Sequence, residues 1–334
     1  MESIVKAAEK AQEHGIDLSK LPQNMNMTTE SITANVLAMN ANCPDERMKF
    51  IFQSLVTHLH DFVRETSLTS EEWMTAINFL TETGKMCTDI RQEFILLSDT
   101  LGVSTLVDSI NNAKPPGATE PSVLGPFFTE DAHDVANGES IASEGKGDYM
   151  YVEGRVLNME GQPIANAVLD TWETDGHGHY DTQVSQLLIF RAIRKMIGLL
   201  GAETDDGSYA YRAVVPVSYP IPSDGTVGKM VTKLGRHVFR PAHLHIQVQA
   251  PGYEKLTTSL YFKGDPYLTS DAVFGVKTSL IMDPEIVTDV SLSKARGFKD
   301  AKPHAYLKRD FILVTPEQGA EARRVLADRA RVAI

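Results

Sequence analysis

Two histidines stand two residues apart in Arg240-Pro241-Ala242-His243-Leu244-His245-Ile246-Gln247-Val248, inside a run that alternates polar and apolar residues. In a strand, residues i and i+2 point to the same side. His243, His245 and Gln247 therefore share one face, while Leu244, Ile246 and Val248 turn toward a packed interior. Paired imidazoles on one strand face can chelate a metal ion, and imidazole suits zinc, copper, nickel and iron alike. The plainer alternative is a pair of surface histidines on a half-exposed strand. Two further pairs serve as controls. His58 and His60 lie where Met48, Phe52, Leu55, Leu59 and Phe62 recur at helical spacing, and residues two apart on a helix do not face one another. His177 and His179 sit in Gly176-His177-Gly178-His179-Tyr180, a turn with no fixed face.

A metal needs more than two ligands. Cys43 and Cys87 fall in a helical region without Cys-x-x-Cys spacing, which makes a thiolate zinc site poor. A carboxylate beside two histidines would suggest ferrous iron, yet none stands out near this strand. Tyrosines do. Tyr219 closes the stretch Val215-Pro216-Val217-Ser218-Tyr219-Pro220, and Tyr180 follows the glycine-rich turn. Either is equally readable as a packing residue with a satisfied hydroxyl.

The rest of the 334-residue chain must position these groups, and it is long enough for one large domain or two. Through residue 112 or so, apolar residues recur every three or four positions, the helical signature. Thr69-Ser70-Glu71-Glu72 reads as a capping box before Trp73, Gly84 as a terminator, and a further helix is expected over about Asp89 to Leu101. Prolines at 115, 116, 121 and 126 then break the periodicity. From Asp148 the pattern becomes short strands between turns: Met150 to Leu157, Ala167 to Glu173, Tyr209 to Val217, Ala242 to Ala250, Thr257 to Lys263 and Arg309 to Val314, with a closing helix over Pro316 to Val332. The expected fold is mainly β with α: a helical domain over 1–112 followed by an antiparallel β-sandwich over 113–334. The segment from Ser185 to Glu203, with Arg191, Arg194 and Lys195 at helical spacing, reads as a packed surface helix, with a lid as the alternative.

A formal net charge of -12 without a basic stripe argues against nucleic-acid binding and makes a small molecule the default partner. Two cysteines and a polar amino-terminal segment lacking an apolar signal core point to a cytoplasmic protein without disulfides. No apolar run reaches the length of a membrane span.

Tyr180 after a Gly-His turn, Tyr219 before Pro220, Gly235-Arg236-His237 and Arg240-Pro241-Ala242-His243-Leu244-His245 together resemble the ferric site of the intradiol ring-cleavage dioxygenases. The likeness runs from Gly125-Pro126-Phe127-Phe128 through Ala250-Pro251-Gly252, Leu256-Thr257-Thr258 and Gly264-Asp265, and it spans nearly the whole chain. It implies a non-haem Fe(III) held by Tyr180, Tyr219, His243 and His245, with Tyr219 and His245 axial and an open position for substrate. It implies further that a catechol-type diol binds as a dianion, that a bound hydroxide and Tyr219 take its protons, and that dioxygen opens the ring to a dicarboxylate. Arg240 would stabilise anionic character developing on the ring, with an ordinary salt bridge at the strand entrance as its alternative role. Relatives that cleave catechol carry glutamine fourteen residues after the second histidine. Here Ser259 stands in that place, and its short hydroxyl brings the orientation of Arg240 into question.

Within the family, the helical first domain is similar to the catechol, chlorocatechol and hydroxyquinol enzymes. In Leu96-Leu97-Ser98-Asp99-Thr100, Asp99 occupies a place where catechol enzymes resemble Leu-Ser-Pro or Leu-Ser-Ala, and a carboxylate there can accept a hydrogen bond from a third ring hydroxyl. Leu96, Val123, Leu124, Gly125, Pro126, Phe127, Arg240 and Ser259 would line the substrate pocket, and Ser270 to Lys277 also resembles the hydroxyquinol branch. Hydroxyquinol (benzene-1,2,4-triol) is thus the expected substrate, giving 3-hydroxy-cis,cis-muconate or maleylacetate. The alternatives are catechol giving cis,cis-muconate, a two-histidine, one-carboxylate ferrous oxygenase, and a transthyretin-like module without a catalytic metal, which Gly154-Arg155-Val156 and Gly161-Gln162-Pro163-Ile164 also resemble. The resemblance also implies a homodimer joined through the helical domain, with Met48, Phe52, Leu55 and Leu59 as its seam, and a phospholipid bound there. An internal helical core fits that series equally well.

Overall fold

The computed structural model describes residues 10–11, 13–15, 17–21, 26–88, 91–125, 133–141, 145–178, 193–196, 206–300 and 302–332. Tyr180, Pro126, Phe127 and His179 lie outside them. Two units are distinguished, Met1–Thr81 and Glu82–Ile334.

The first unit is helical. Helix α1 spans Ile32–Asn40 and α2 spans Glu46–Thr66. Asp45 caps α2 by accepting from the Met48 amide at 3.0 Å, and Ser67 ends it in the left-handed region at φ 49°. Arg64 and His60 tie the two helices together through Thr33, whose hydroxyl lies 3.0 Å from His60 Nδ1 and accepts from the Arg64 guanidinium. His58 and His60 thus lie on a helix, as their spacing predicts. Met48, Phe52, Leu55, Leu59 and Phe62 are all exposed, so this stripe is not an internal core of the chain. Helix α3, Ser70–Lys85, begins with the expected capping box: Glu72 accepts from the Thr69 amide at 2.9 Å, and Thr69 Oγ1 accepts from the Glu72 amide at 3.2 Å.

The second unit opens with α4 (Glu93–Thr100) and α5 (Val103–Asn111). Gly102 joins them at φ +74°, and the site where its Cβ would stand lies 3.5 Å from the Phe274 ring. The strands follow: β1 His133–Asp134, β2 Tyr149–Leu157, β3 Val168–Glu173, β4 Ile193–Met196, β5 Ser208–Val214, β6 Tyr219–Pro220, β7 Phe239–Arg240, β8 His243–Gln249, β9 Leu256–Phe262, β10 Ile281–Met282, β11 Glu285–Val287, β12 His304–Lys308 and β13 Phe311–Ile312. Helix α6 (Thr226–Lys233) lies between β6 and β7, α7 (Val290–Ala295) lies between β11 and β12, and α8 (Pro316–Val332) closes the chain.

One sheet has the order β1-β4-β3-β8-β9-β10; the other runs β11-β12-β2-β13 with β5 on β2, and β6 pairs with β7 alone. Their inner faces share one core, with Met150, Val152 and Val156 from β2, Tyr209 and Tyr211 from β5, Leu169 from β3, Leu244, Ile246 and Val248 from β8, and Leu256 and Leu260 from β9. The expected antiparallel pairing holds for β3·β8, β8·β9 and β2·β5, whereas β12 and β13 run parallel to β2 and β10 runs parallel to β9.

Of the strand expected over Arg309 to Val314 only Phe311–Ile312 (β13) is strand; β12, which precedes it, also rides on β2, and the two are separated at Arg309–Asp310. Tyr209 donates to the Arg309 carbonyl at 2.6 Å, and Asp310 takes the Arg155 amide at 2.9 Å. Gly154 faces the interruption because a Cβ there would collide with the Arg309 carbonyl. Of the segment from Ser185 to Glu203, only Ile193–Met196 are described, and they form β4 rather than a helix. Pairing with β3 from Val168 to Thr171 satisfies backbone groups that the sheet edge would otherwise leave open, and this outweighs the local charge spacing. Among the described residues no helix is long and apolar enough to cross a membrane.

Candidate metal centre and ring-binding site

Strand β8 behaves as its alternation predicts, with one difference: both faces are buried. His243 and His245 are each 1% exposed, and Gln247 is 2% exposed. The alternation therefore separates a hydrophobic core from an enclosed polar site rather than from water.

The two imidazoles meet, with their Nε2 atoms 3.0 Å apart. His243 Nδ1 lies 2.7 Å from the Pro241 carbonyl; a carbonyl only accepts, so Nδ1 carries the proton and Nε2 presents a lone pair. His245 Nδ1 lies 3.0 Å from Ser259 Oγ, a hydroxyl able to donate or accept, and β8·β9 register sets Ser259 opposite His245. Trp172, opposite His245 on β3, stacks on its ring at 4.9 Å and 8°. Burial holds both histidines well below the usual imidazole range; the Arg240 charge adds to this at His243, as do His243 and Arg240 at His245. Both rings are neutral, the form that binds metals.

Tyr219 and Arg240 face each other because β6 and β7 pair in that register. Arg240 Nη1 lies 3.4 Å from the Tyr219 hydroxyl and 3.1 Å from His243 Nε2. Burial opposes the charge of this guanidinium, and Asp271, Tyr219 and Tyr261 together more than restore it. Asp271 Oδ1 lies 3.2 Å from Arg240 Nε. Arg240 Nη2 also reaches the Tyr261 hydroxyl at 3.4 Å, which lies 3.4 Å from the Ser122 hydroxyl. Ser259, meanwhile, is on His245; the hold on Arg240 comes from Asp271.

The donor set suits a metal ion. Two nitrogens 3.0 Å apart span the edge expected of adjacent ligands at about 90° on metal–imidazole bonds of roughly 2.1 Å. The Tyr219 ring lies 5.5 Å from the His243 ring. Among the described residues no cluster of three or more His, Cys, Asp or Glu is arranged to hold an ion, so the described oxygen donor beside the pair is phenolic.

Of the proposed pocket residues, Gly125, Arg240 and Ser259 touch the histidine pair. Gly125, at φ +75°, lies against His245, where an added Cβ would stand 3.3 Å from Nε2. Leu96 packs on a small apolar cluster of Ile221, Ala272 and Val273. Val123 is half-buried, and Leu124 is exposed. Asp99, half-buried near the end of α4, has its carboxyl raised above the ordinary range, chiefly by burial; Ser104 and Arg240 oppose that shift and Asp271 adds to it. Asp271 also lines a cavity of about 510 Å³ with Arg236, His237, Ser270 and Phe274. His237 is occupied elsewhere, 2.8 Å from Ser270 Oγ.

A family profile described as "Dioxygenase" matches residues 123–311, and one described as "Catechol dioxygenase N terminus" matches residues 45–119. The chain belongs to the intradiol ring-cleavage dioxygenase family. It is 45% identical over 305 residues to an intradiol ring-cleavage dioxygenase of Aspergillus niger, covering 91% of this chain and 90% of that protein. It is 49% identical over 253 residues to a 6-chlorohydroxyquinol 1,2-dioxygenase of Cupriavidus pinatubonensis, covering 76% and 90%. The crystal structure of hydroxyquinol 1,2-dioxygenase from Pseudomonas putida DLL-E4 superposes with a TM-score of 0.78 at 45% identity, covering 86% of this chain and 98% of that one. This intradiol dioxygenase is therefore an oxidoreductase, and the non-catalytic carrier reading is set aside.

Several residues of the site were not assigned a role by sequence reasoning: Trp172, Tyr261, Asp271 and Ser122. Asp271 lies in the stretch from Ser270 to Lys277 singled out by resemblance, but nothing in the sequence pairs it or Tyr261 with Arg240, because each reaches Arg240 from a different part of the chain.

Proposed function

We propose that this dioxygenase cleaves benzene-1,2,4-triol between its two adjacent hydroxyls with dioxygen, giving 3-hydroxy-cis,cis-muconate or its keto tautomer maleylacetate. The observation that carries the substrate choice is Asp99, a half-buried carboxylate on which the charges of both Arg240 and Asp271 act. Catechol offers such a group nothing, whereas the third hydroxyl of the triol can donate to it. The printed names of the relatives, hydroxyquinol and chlorohydroxyquinol dioxygenases, support the same choice.

Tyr180, Tyr219, His243 and His245 would hold a non-haem Fe(III), which supplies a Lewis acid for both diol oxygens and an acceptor of electron density that makes the ring reactive toward dioxygen. The residues of the chain do the rest. With the metal bound Tyr219 would be a phenolate, and its oxygen would receive a proton from one substrate hydroxyl. Arg240 Nη1, whose present partner at His243 Nε2 is the lone pair a metal would take, would then present its N–H to the anionic ring oxygen. Leu96, Val123, Leu124, Gly125, Pro126 and Phe127 would form the walls that orient the ring, and Asp99 would fix which edge carries the third hydroxyl. Ser259 orients His245 through Nδ1.

The working form is a cytoplasmic homodimer joined along the exposed stripe Met48, Phe52, Leu55 and Leu59 of α2, with a phospholipid held at that seam. Sedimentation, with mass spectrometry of an organic extract, checks both points. For the reaction, purified protein should be red-brown, carry iron, and convert the triol with uptake of one dioxygen per ring. A colourless, iron-free preparation with full activity would refute the metal assignment, and faster turnover of catechol than of the triol would refute the substrate.

A further inference from the structure

Arg240 is gripped on one side by a carboxylate, while its Nη1 faces Tyr219 and His243. We propose that Asp271 is the positioning residue that aims Arg240 at the bound ring and balances its charge; the proposal rests on the reading of Arg240 given above. Asp271 Oδ1 takes Nε at 3.2 Å and Oδ2 faces Nη2 at 3.4 Å. A guanidinium is planar, so fixing Nε and Nη2 also fixes where Nη1 points. It points between the Tyr219 hydroxyl and His243 Nε2.

The carboxylate is itself immobilised. Its Oδ1 accepts from the Val273 amide at 3.3 Å and its Oδ2 from the Gly275 amide at 2.9 Å. Gly275 is backed in turn by Ser122, which donates to its carbonyl at 3.1 Å. A Cβ on Gly275 would stand 2.7 Å from the Tyr261 hydroxyl and 3.1 Å from Arg240 Nη2, so the grip leaves no slack for the arginine to swing. The side chains of Arg240 and Asp271 are 3% and 2% exposed. A guanidinium that deep, beside two imidazoles suited to a cation, is tolerated because a fixed anion sits on its far edge.

The competing role is that Asp271 merely ties the turn from 271 to 275. A double-mutant cycle of Asp271→Asn and Arg240→Gln, read as kcat and KM on benzene-1,2,4-triol with iron-loaded protein, separates the two. Asp271→Asn should lower kcat by on the order of 10- to 100-fold with KM within about 3-fold, the pattern of an interaction made in the transition state. Added to Arg240→Gln, it should cost less than about 3-fold more, because the residue through which it acts is already gone. In metal-free protein the Arg240 Nε–H proton resonance should be protected from exchange, and Asp271→Asn should abolish that protection.

Losses that multiply in the cycle, or a resonance that stays protected in Asp271→Asn, would overturn the proposal. If Arg240→Gln alone leaves kcat unchanged, the reading of Arg240 fails and the proposal falls with it; the exchange measurement still reports whether Asp271 grips the arginine. Should Asp271→Asn fail to fold while the double variant folds, the charge-balancing role is supported. Failure of both would make Asp271 a turn residue and overturn it.

Discussion

Replacing Asp99 with alanine tests the substrate assignment most directly. The carboxylate is half-buried and its carboxyl is raised by burial, so a hydrogen bond made to it is shielded from competing water. Hydrogen bonds to charged groups contribute about 1.5–3 kcal/mol, and each 1.4 kcal/mol is a factor of ten. Asp99→Ala should therefore lower kcat/KM for benzene-1,2,4-triol by roughly 10- to 150-fold. Catechol has no third hydroxyl to lose, and its kcat/KM should change by less than about 3-fold. The ratio of the two substrates, measured by oxygen uptake and by absorbance of the ring-opened products, cancels effects on folding and metal loading. Asp99→Asn should fall between, since an amide oxygen still accepts but carries no charge. The pH dependence has a definite sign: the carboxyl accepts best when ionised, so preference for the triol should decline as pH falls through a value above the ordinary carboxylate range, and the ratio should be flat in Asp99→Asn. Equal losses on both substrates in Asp99→Ala would refute the assignment.

Further outcomes follow from other parts of the fold. Glu173 is pushed up to about 8 from 4.5 by burial, and its Oε2 is buried with no hydrogen-bond partner among the described residues. A raised acid holds a proton in the folded state that the unfolded state releases, so its contribution favours folding below about pH 4.5 and is lost as pH rises through about 8. Glu173→Gln should melt close to the parent at pH 4 and above it at pH 8.5; parallel melting curves at both values would count against this. Gly154→Ala, which drives a methyl into the Arg309 carbonyl, should cost about 3 kcal/mol or more or leave the protein insoluble, and a variant with wild-type melting would show that β2 can shift there. Ser259→Ala removes the hydroxyl at His245 Nδ1 and should weaken iron binding by about 10- to 100-fold, read by chelator competition, with little change in melting of the metal-free form. An unchanged chelator midpoint would deny Ser259 that role.

Much of the scaffold was legible because it is written in local periodicity. The alternation in His243 to Gln249 set the faces of β8, the capping box at Thr69 set the start of α3, and the closing helix over Pro316–Val332 matches its expected bounds. Each of these depends on residues within a few positions of one another, where backbone geometry alone decides who shares a face.

What tertiary structure decided concerns groups that no spacing connects. The interruption at Arg309–Asp310 exists because β12 and β13 both ride on β2 across a gap of about 150 residues in sequence. Ser259 serves His245 because β8 and β9 pair in one register out of several that their patterns allow; a shift by one residue would have turned it to the other face. Arg240 meets Asp271, thirty-one residues away, and the Tyr261 hydroxyl, and neither contact follows from spacing. The chain by itself determined which residues could hold a metal and a diol. Only folding decided which carboxylate faces the arginine, because that choice depends on packing between distant segments, where the cost of burying a charge is met by whichever partner arrives.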